Sequence, residues 1–431
     1  VFGHRWAAVP LAVCCALLAS SCTTARTATG LTGGRSLEVL GAWTGAEAQN
    51  FDRVLAGFEA RTGVSVAYTP AGTAGVPSAL NQRLAAGRAP DVAFLPQAGS
   101  LRQYAARGVL VPLDPATVSA VNTNYNATWR GLGSVGGRMY GVWFKAADKS
   151  LVWYNIGAFE RVGVVPPDDI GGLLSVARTL TASGLPAFAV GGADRWTLND
   201  WFGNLYLRLA GPAAYDRLAD HRIPWTDPSV TATLRLMSEV LDPGLLVGGT
   251  AGALDTTFTQ SVDQVFGQPP AAAITSEGDF VAGVVSADTP SVLGIDADQF
   301  PFPAVGASAP GVIGGGDVAV LLRRSSAGSA LLRYLTSPAA AARWAVRGGF
   351  ISPNINLNPA IYPDAITRSE ARSVLDAGSS FHFGLADLQP PSFGATPSAG
   401  LEKELADFLV NRDVDGTASR LEAAAGAAYG R

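Results

Sequence analysis

Two pairs of carboxylates are the groups in this chain best placed to do chemistry. Glu277 and Asp279 close an apolar segment over 271–276, and Asp194 and Asp200 bracket Trp196, Thr197 and Asn199, with Trp201 next in line. Closely spaced carboxylates are what glycoside hydrolysis requires, one as acid and the other as base or nucleophile. The same groups serve as hydrogen-bonding partners in a binding cleft, so the pairs alone do not separate an enzyme from a receptor. Signatures of other chemistries are lacking. The sequence has no HExxH, no GxSxG and no GxxxxGK phosphate loop, and only His221 and His382 follow the N-terminal segment. A third group of charges sits in YGVWFKAADKSLVWYN, from Tyr140 to Asn155. There Lys145, Asp148 and Lys149 form a polar bridge between two β-like, aromatic-rich segments. Such a bridge suits either a crossing between two packed units or a hairpin within one sheet. We favour the crossing, with the three charges at the mouth of a cleft.

The elements that must position these groups are legible as alternating strands and helices. A strand over 36–43 leads through the loop 44–47 into a helix with Phe51, Val54, Leu55 and Phe58 on one face, stopped at Gly63. Val64, Val66 and Tyr68 alternate as a strand, a helix follows over 78–86, and PDVAFL over 90–95 is a buried strand followed by a helix over 100–107. This β-α-β-α-β order implies a parallel sheet with helices on its faces, and such sheets bind ligands at the carboxyl ends of their strands, here the loops 44–47 and 96–99. Further on, Gly136-Gly137 predicts a tight hairpin, Asp169 a helix start, and Asp227-Pro228 an N-cap with proline at N1. Short strands are expected over 187–190 and 271–276, and the glycine run 314–316 is expected to lead into a strand over 318–322.

At 431 residues the chain is too long for one core, and with 48% hydrophobic residues it has ample material for two or three domains. A net charge of −4 without a basic run argues against nucleic acid as a partner. His4 and Arg5, an apolar run over 6–18, and small residues leading into Cys22 read as a secretory leader over 1–22 that resembles a bacterial lipobox, with Cys22 as the acylated residue. A flexible tether follows over 23–35. All three cysteines lie in the leader, so no disulfide or thiolate metal site is expected in the body.

The motifs LEVLGAWTGAEAQNFDRVLAGFEARTGVSV, APDVAFLP, GGRMYGVWFKAADKSLVWYN, ITSEGDFVAG, GGGDVAVLL and SALLRYLTSPAAAARWA before GGFISPN occur in the order of one family. The chain resembles the extracellular solute-binding proteins of bacterial ABC sugar importers, the maltose- and α-glucoside-binding type. The resemblance implies an α/β fold of two lobes, the type II periplasmic-binding-protein fold, with a ligand cleft between lobes and a hinge of several segments. Expected boundaries are 36–144 with 311–347 for the first lobe and 145–310 with 348–431 for the second. It also implies a monomer, tethered by lipid to the outer face of the cytoplasmic membrane, that binds a carbohydrate without cofactor or metal and delivers it to a permease driven by a separate ATPase. Secreted glycoside hydrolase and sugar-sensing or adhesion lipoprotein remain the alternatives. Pyranoses offer apolar faces to aromatic rings and hydroxyl rims to charged groups, whose hydrogen bonds are the stronger ones. On that basis the expected ligand contacts are Trp43, Thr44, Glu47, Gln97, Lys145, Asp148, Asp194, Trp196, Asp200, Trp201, Glu277, Asp279, Phe280, Gly315, Asp317 and Arg347. Phe280 stands where similar proteins more often carry tryptophan. The glycines 314–316 are expected chiefly to permit a tight crossing between the lobes.

Overall fold

The computed structural model describes residues 36–72, 75–308 and 311–430. The leader, Cys22 and the tether lie outside the described residues. In chain order the strands are β1 (Leu37–Gly41), β2 (Val66–Pro70), β3 (Val92–Leu95), β4 (Ser134–Val135), β5 (Arg138–Met139), β6 (Gly141–Asp148), β7 (Leu151–Asn155), β8 (Ile274–Glu277), β9 (Ala297–Pro301), β10 (Val312–Leu321) and β11 (Phe381–Phe383). β1 pairs in parallel with β2 and β3, and the helices Gly45–Thr62, Gly75–Ala85 and Ala98–Ala106 connect or follow them in the expected order, the first and third beginning inside the segments 44–47 and 96–99 that were expected as loops. Gly63 ends the first helix in the left-handed conformation, φ 71°. Gly136 and Gly137, at φ 56° and 75°, turn β4 into β5. Asp169 and Asp227 accept backbone N–H bonds as N-caps.

Two main hydrophobic cores form around two sheets. The first sheet runs β11-β10-β3-β1-β2 with β6 on the other side of β10, and the second is β8-β7-β9, antiparallel throughout. The first core draws on residues between Leu37 and Ala146 and between Val318 and Phe383; the second draws on residues from Val152 to Ile313 and from Leu385 onward, with a smaller cluster under β7. The segment from Phe350 to Phe383 therefore packs on the first core, not in the second lobe where the expected boundary at 348 put it. Phe350 stacks on Trp344 at 5.0 Å, Phe381 lies 4.8 Å from Trp129, and β11 extends the first sheet.

β6 and β10 carry the chain between the lobes. They pair antiparallel from Gly141 opposite Val320 to Asp148 opposite Gly314, with an irregularity between Asp317 and Val318. The strand thus continues through Lys145–Asp148, and the polar bridge shrinks to Lys149 and Ser150. The glycine run is likewise inside β10 rather than a loop before it. A Cβ on Gly316 would stand 2.3 Å from the Lys145 carbonyl oxygen, and one on Gly314 would meet both the Ala147 carbonyl and the Phe381 ring below 2.5 Å. The two backbones approach so closely that neither position has room for a side chain. Ser150 fastens the crossing: its hydroxyl donates to Asn204 Oδ1 at 2.8 Å and accepts from the Ile313 N–H at 2.7 Å. The expected strand over 187–190 is reduced to isolated bridges of Phe188 with Leu246 and Ile274.

Candidate functional site

Three clusters of charge line the crossing. On the first lobe, Lys145 in β6 faces Asp317 in β10, and its ammonium ion-pairs with Glu47 in the first turn of Gly45–Thr62 and lies 5.4 Å above the Trp344 ring. Asp317 accepts the Trp43 indole N–H at 3.1 Å. Burial pushes the Asp317 carboxyl up to about 6 against the pull of Lys145. For Lys145, burial works downward, yet the charges of Glu47 and Asp317 outweigh it and the ammonium stands raised.

At the crossing itself, Asp148 and Asp279 are both buried and exchange backbone contacts. Asp279 Oδ1 accepts the Asp148 N–H at 2.8 Å, and the Asp279 N–H donates to the Asp148 carbonyl at 2.9 Å. Asp148 also accepts from Ser150 N–H and Ser373 Oγ. Burial raises Asp148 to about 6 and raises Asp279 as well, partly offset by Lys145. Glu370, on the helix Ala365–Asp376, is 1% exposed with neither carboxyl oxygen hydrogen-bonded; burial and the neighbouring Asp279 and Asp148 charges hold it well above the usual carboxylate range.

On the second lobe, the Lys149 ammonium meets Asp200 Oδ2 at 3.3 Å and Asp387 Oδ2 at 3.5 Å, and lies 5.6 Å from the Trp196 ring. Glu277 ends β8 buried, Glu402 comes from the helix Gly400–Asn411, and the Lys149 charge reaches both. Burial raises Asp200, Glu277 and Glu402, the last to about 7. Trp196 is half-buried, with Phe258 and Phe280 against it at 5.5 and 5.8 Å and 5.2 Å from each other. The helix it opens, Trp196–Ala210, follows Arg195, whose backbone is held at φ 64°, ψ −51°. A non-glycine residue in that region is strained, and such strain gathers at functional sites. Lysines flanked by carboxylates, beside a partly open indole, can hydrogen-bond and stack on a polar ring-shaped solute. A surface hollow lined by His221, Arg222 and Glu422, among others, shares none of these residues.

The structure thus gathers Glu47, Lys145 and Asp317 at one cluster, Asp148 and Asp279 at the crossing, and Trp196, Asp200, Glu277 and Phe280 at another. Other expected contacts fall elsewhere or serve the scaffold. Trp43 is buried in an aromatic group with Phe51, Phe94 and Trp344, so only its indole N–H reaches the cluster. Trp201 is core, edge-on to Phe188 and Phe302. Asp194 accepts the Phe258 N–H at 2.6 Å and so ties down the loop before Trp196. Gln97 precedes the helix Ala98–Ala106 and accepts from Ser100 Oγ; Thr44 and Arg347 are exposed at helix ends. Gly315 lies against the Lys149 stem, 3.1 Å from a notional Cβ. Lys149, placed at the cleft mouth from the sequence, becomes the centre of a cluster whose members Asp387 and Glu402 sequence reasoning missed. No spacing in the chain links positions 149, 200, 277, 387 and 402, which only the fold brings together.

Residues 42–342 match the family model for bacterial extracellular solute-binding proteins. The chain belongs to that family. Among curated relatives, this solute-binding protein is 31% identical over 370 residues to the osmoprotective compounds-binding protein GgtB of Synechocystis, covering 84% of this chain and 86% of the relative. It is 29% identical over 377 residues to the alpha-glucosides-binding periplasmic protein AglE of Rhizobium meliloti, covering 84% and 81%. Among solved structures, the bacterial solute receptor AcbH superposes with a TM-score of 0.80 at 20% identity over 92% of this chain and 98% of that one, a likeness of fold. The two-lobed α/β architecture expected from the sequence is therefore that of this solute-binding protein, and its family is one of binding proteins.

Proposed function

We propose that the protein is the substrate receptor of an ABC importer and binds a sugar, an oligosaccharide or α-glucoside, between its lobes before handing it to a membrane permease. The observation that carries this reading is the half-buried Trp196 ring standing beside Lys149 and its buried carboxylates, a stacking face next to a charged rim. The names of two relatives support it, one binding alpha-glucosides and one osmoprotective compounds. AcbH, of like fold, is described as having an exclusive preference for β-D-galactopyranose. We further assign Cys22 as the acylated residue that holds the body at the outer face of the cytoplasmic membrane, on the motif alone. A few charge-assisted bonds and one stacked ring correspond to affinity near the micromolar range, roughly −8 kcal/mol.

The test is a titration of the purified protein with mono- and oligosaccharides, followed by tryptophan fluorescence and calorimetry, with each sugar checked afterwards for cleavage. A saturable one-to-one isotherm with intact sugar supports the receptor. Cleaved sugar replaces it with a hydrolase. No binding across the panel rejects carbohydrate as the ligand class.

A further inference from the structure

Glu370 is a buried acid that the proposed ligand capture does not use. It is 1% exposed, and neither of its carboxyl oxygens has a hydrogen-bond partner. Its helix, Ala365–Asp376, is shared between the lobes. Ala371 and Val374 belong to the first core, whereas Ile366 packs against the small cluster under β7, which holds Val281 and Ala282 just after Asp279. Ser373, one turn on from Glu370, donates its hydroxyl to Asp148 Oδ2 at 2.8 Å. Asp148 in turn exchanges its N–H and carbonyl bonds with Asp279. Three carboxyl groups are thus buried around the crossing, one on a helix of the first core, one on β6 and one on a loop of the second lobe.

The cations that act on Asp148 and Asp279 are committed elsewhere. Lys145 pairs with Glu47 and stands opposite Asp317, while Arg208 donates to the carbonyls of Phe302, Asn204 and Gly311. On the helix itself, Arg368 donates to the Tyr362 carbonyl and Arg372 is exposed. Asp364, the helix N-cap, adds a further negative charge. Burial, and then the charges of Asp279, Asp148 and Asp364, raise the Glu370 carboxyl well above the ordinary carboxylate range. Were Glu370 to ionise in place, it would be an unpaired buried charge facing like charges. Moving the helix away from the Asp279 loop relieves both the burial and the repulsion.

We propose that Glu370 is a proton-operated catch between the lobes: with its proton bound, the helix Ala365–Asp376 stays against the Asp279 loop, and loss of that proton to solvent drives the two apart. Because the carboxyl is raised in this arrangement, the joined form is favoured at low pH and is lost as pH rises through the raised value. The catch needs no ligand, so it stands or falls separately from the receptor reading.

The test is solution scattering of the ligand-free protein from about pH 5 to about pH 9 at constant salt, with near-ultraviolet circular dichroism to verify that the fold is kept. The radius of gyration is expected to rise with pH along one titration curve. Glu370→Gln has the shape of the protonated acid but cannot ionise, so this variant should hold the low-pH radius throughout. A flat radius in the unsubstituted protein overturns the proposal, and so does a rise that survives in Glu370→Gln.

Asp279→Asn provides a second variant. It keeps an oxygen to accept the Asp148 N–H but removes the charge that opposes Glu370. The midpoint of the rise should therefore fall by at least about one pH unit, the usual effect of a close charge. An unchanged midpoint overturns the catch, and it does so even if Glu370→Gln fails to fold.

Discussion

At the residue scale the dominant feature is carboxyl burial that outruns the available cations. Glu370 is the clearest case, with both oxygens buried and unpaired beside Asp148 and Asp279. Its folded pKa is raised above the ordinary 4.5, so the folded state binds the extra proton and the unfolded state does not. Stability is therefore present at pH values below about 4.5 and is lost as pH rises toward the raised folded value. Glu370→Gln should raise the melting temperature near pH 8 by about 2 °C or more and flatten its fall between pH 5 and 8. A thermal melt series across that range decides it, and a lower melting temperature at pH 8 would show that the carboxylate has a partner. Lys149 is the opposite case. Lys149→Met would strand Asp200 and Asp387 beside Glu277 and Glu402, and breaking such a buried pair costs about 3–5 kcal/mol. Urea unfolding should show that loss, with Asp200→Asn in the same chain recovering part of it. Additive losses in the double variant would mean that the pair is not coupled.

At the element scale, the long antiparallel pair of β6 and β10 does the joining, and its glycines divide by what lies opposite. A methyl on Gly316 meets the Lys145 carbonyl at 2.3 Å, whereas one on Gly315 meets only the flexible Lys149 stem at 3.1 Å. Gly316→Ala should thus cost at least about 1–3 kcal/mol, the range for overpacking, while Gly315→Ala should stay within about 0.5 kcal/mol. Guanidinium melts of the two variants give the comparison, and equal effects would mean that strand propensity, not contact, sets their cost. The same pair shows what could be read from the chain beforehand. Helix starts at Asp169 and Asp227, the stop at Gly63 and the β1–β3 order were legible because caps and periodicity act between near neighbours. The extension of β6 through Lys145 and Asp148 was not. That polar stretch is a strand only because β10, more than 160 residues later in sequence, supplies its hydrogen bonds. The burial of Trp201 and Trp43 was not legible for the same reason, since a tryptophan beside polar residues shows its burial only when the packed elements are in place.

At the scale of the molecule, two cores meet where few segments cross: Lys149–Ser150, the start of β10, and the passage from β11 to Leu385. The candidate clusters sit on both sides of those crossings, Glu47, Lys145 and Asp317 with the first core and Trp196, Asp200, Glu277 and Glu402 with the second. A ligand touching both sides gains contacts only when the lobes approach, so it favours the closed arrangement by its differential affinity for the two. The expected outcome is a fall in the radius of gyration by solution scattering, with the same midpoint as the fluorescence titration. Ligand at 100 times its Kd should add about 2.7 kcal/mol to stability, read as a concentration-dependent rise in melting temperature. Trp196→Ala should shift both midpoints together by at least about tenfold, because a ring that stacks on the ligand contributes to closure and to affinity through one contact. If the variant lost affinity while the scattering midpoint stayed in place, closure would be driven from the Lys145 side alone. If the radius of gyration did not change on saturation, the crossings would be rigid struts, and ligand capture would take place in a cleft already shaped to receive it.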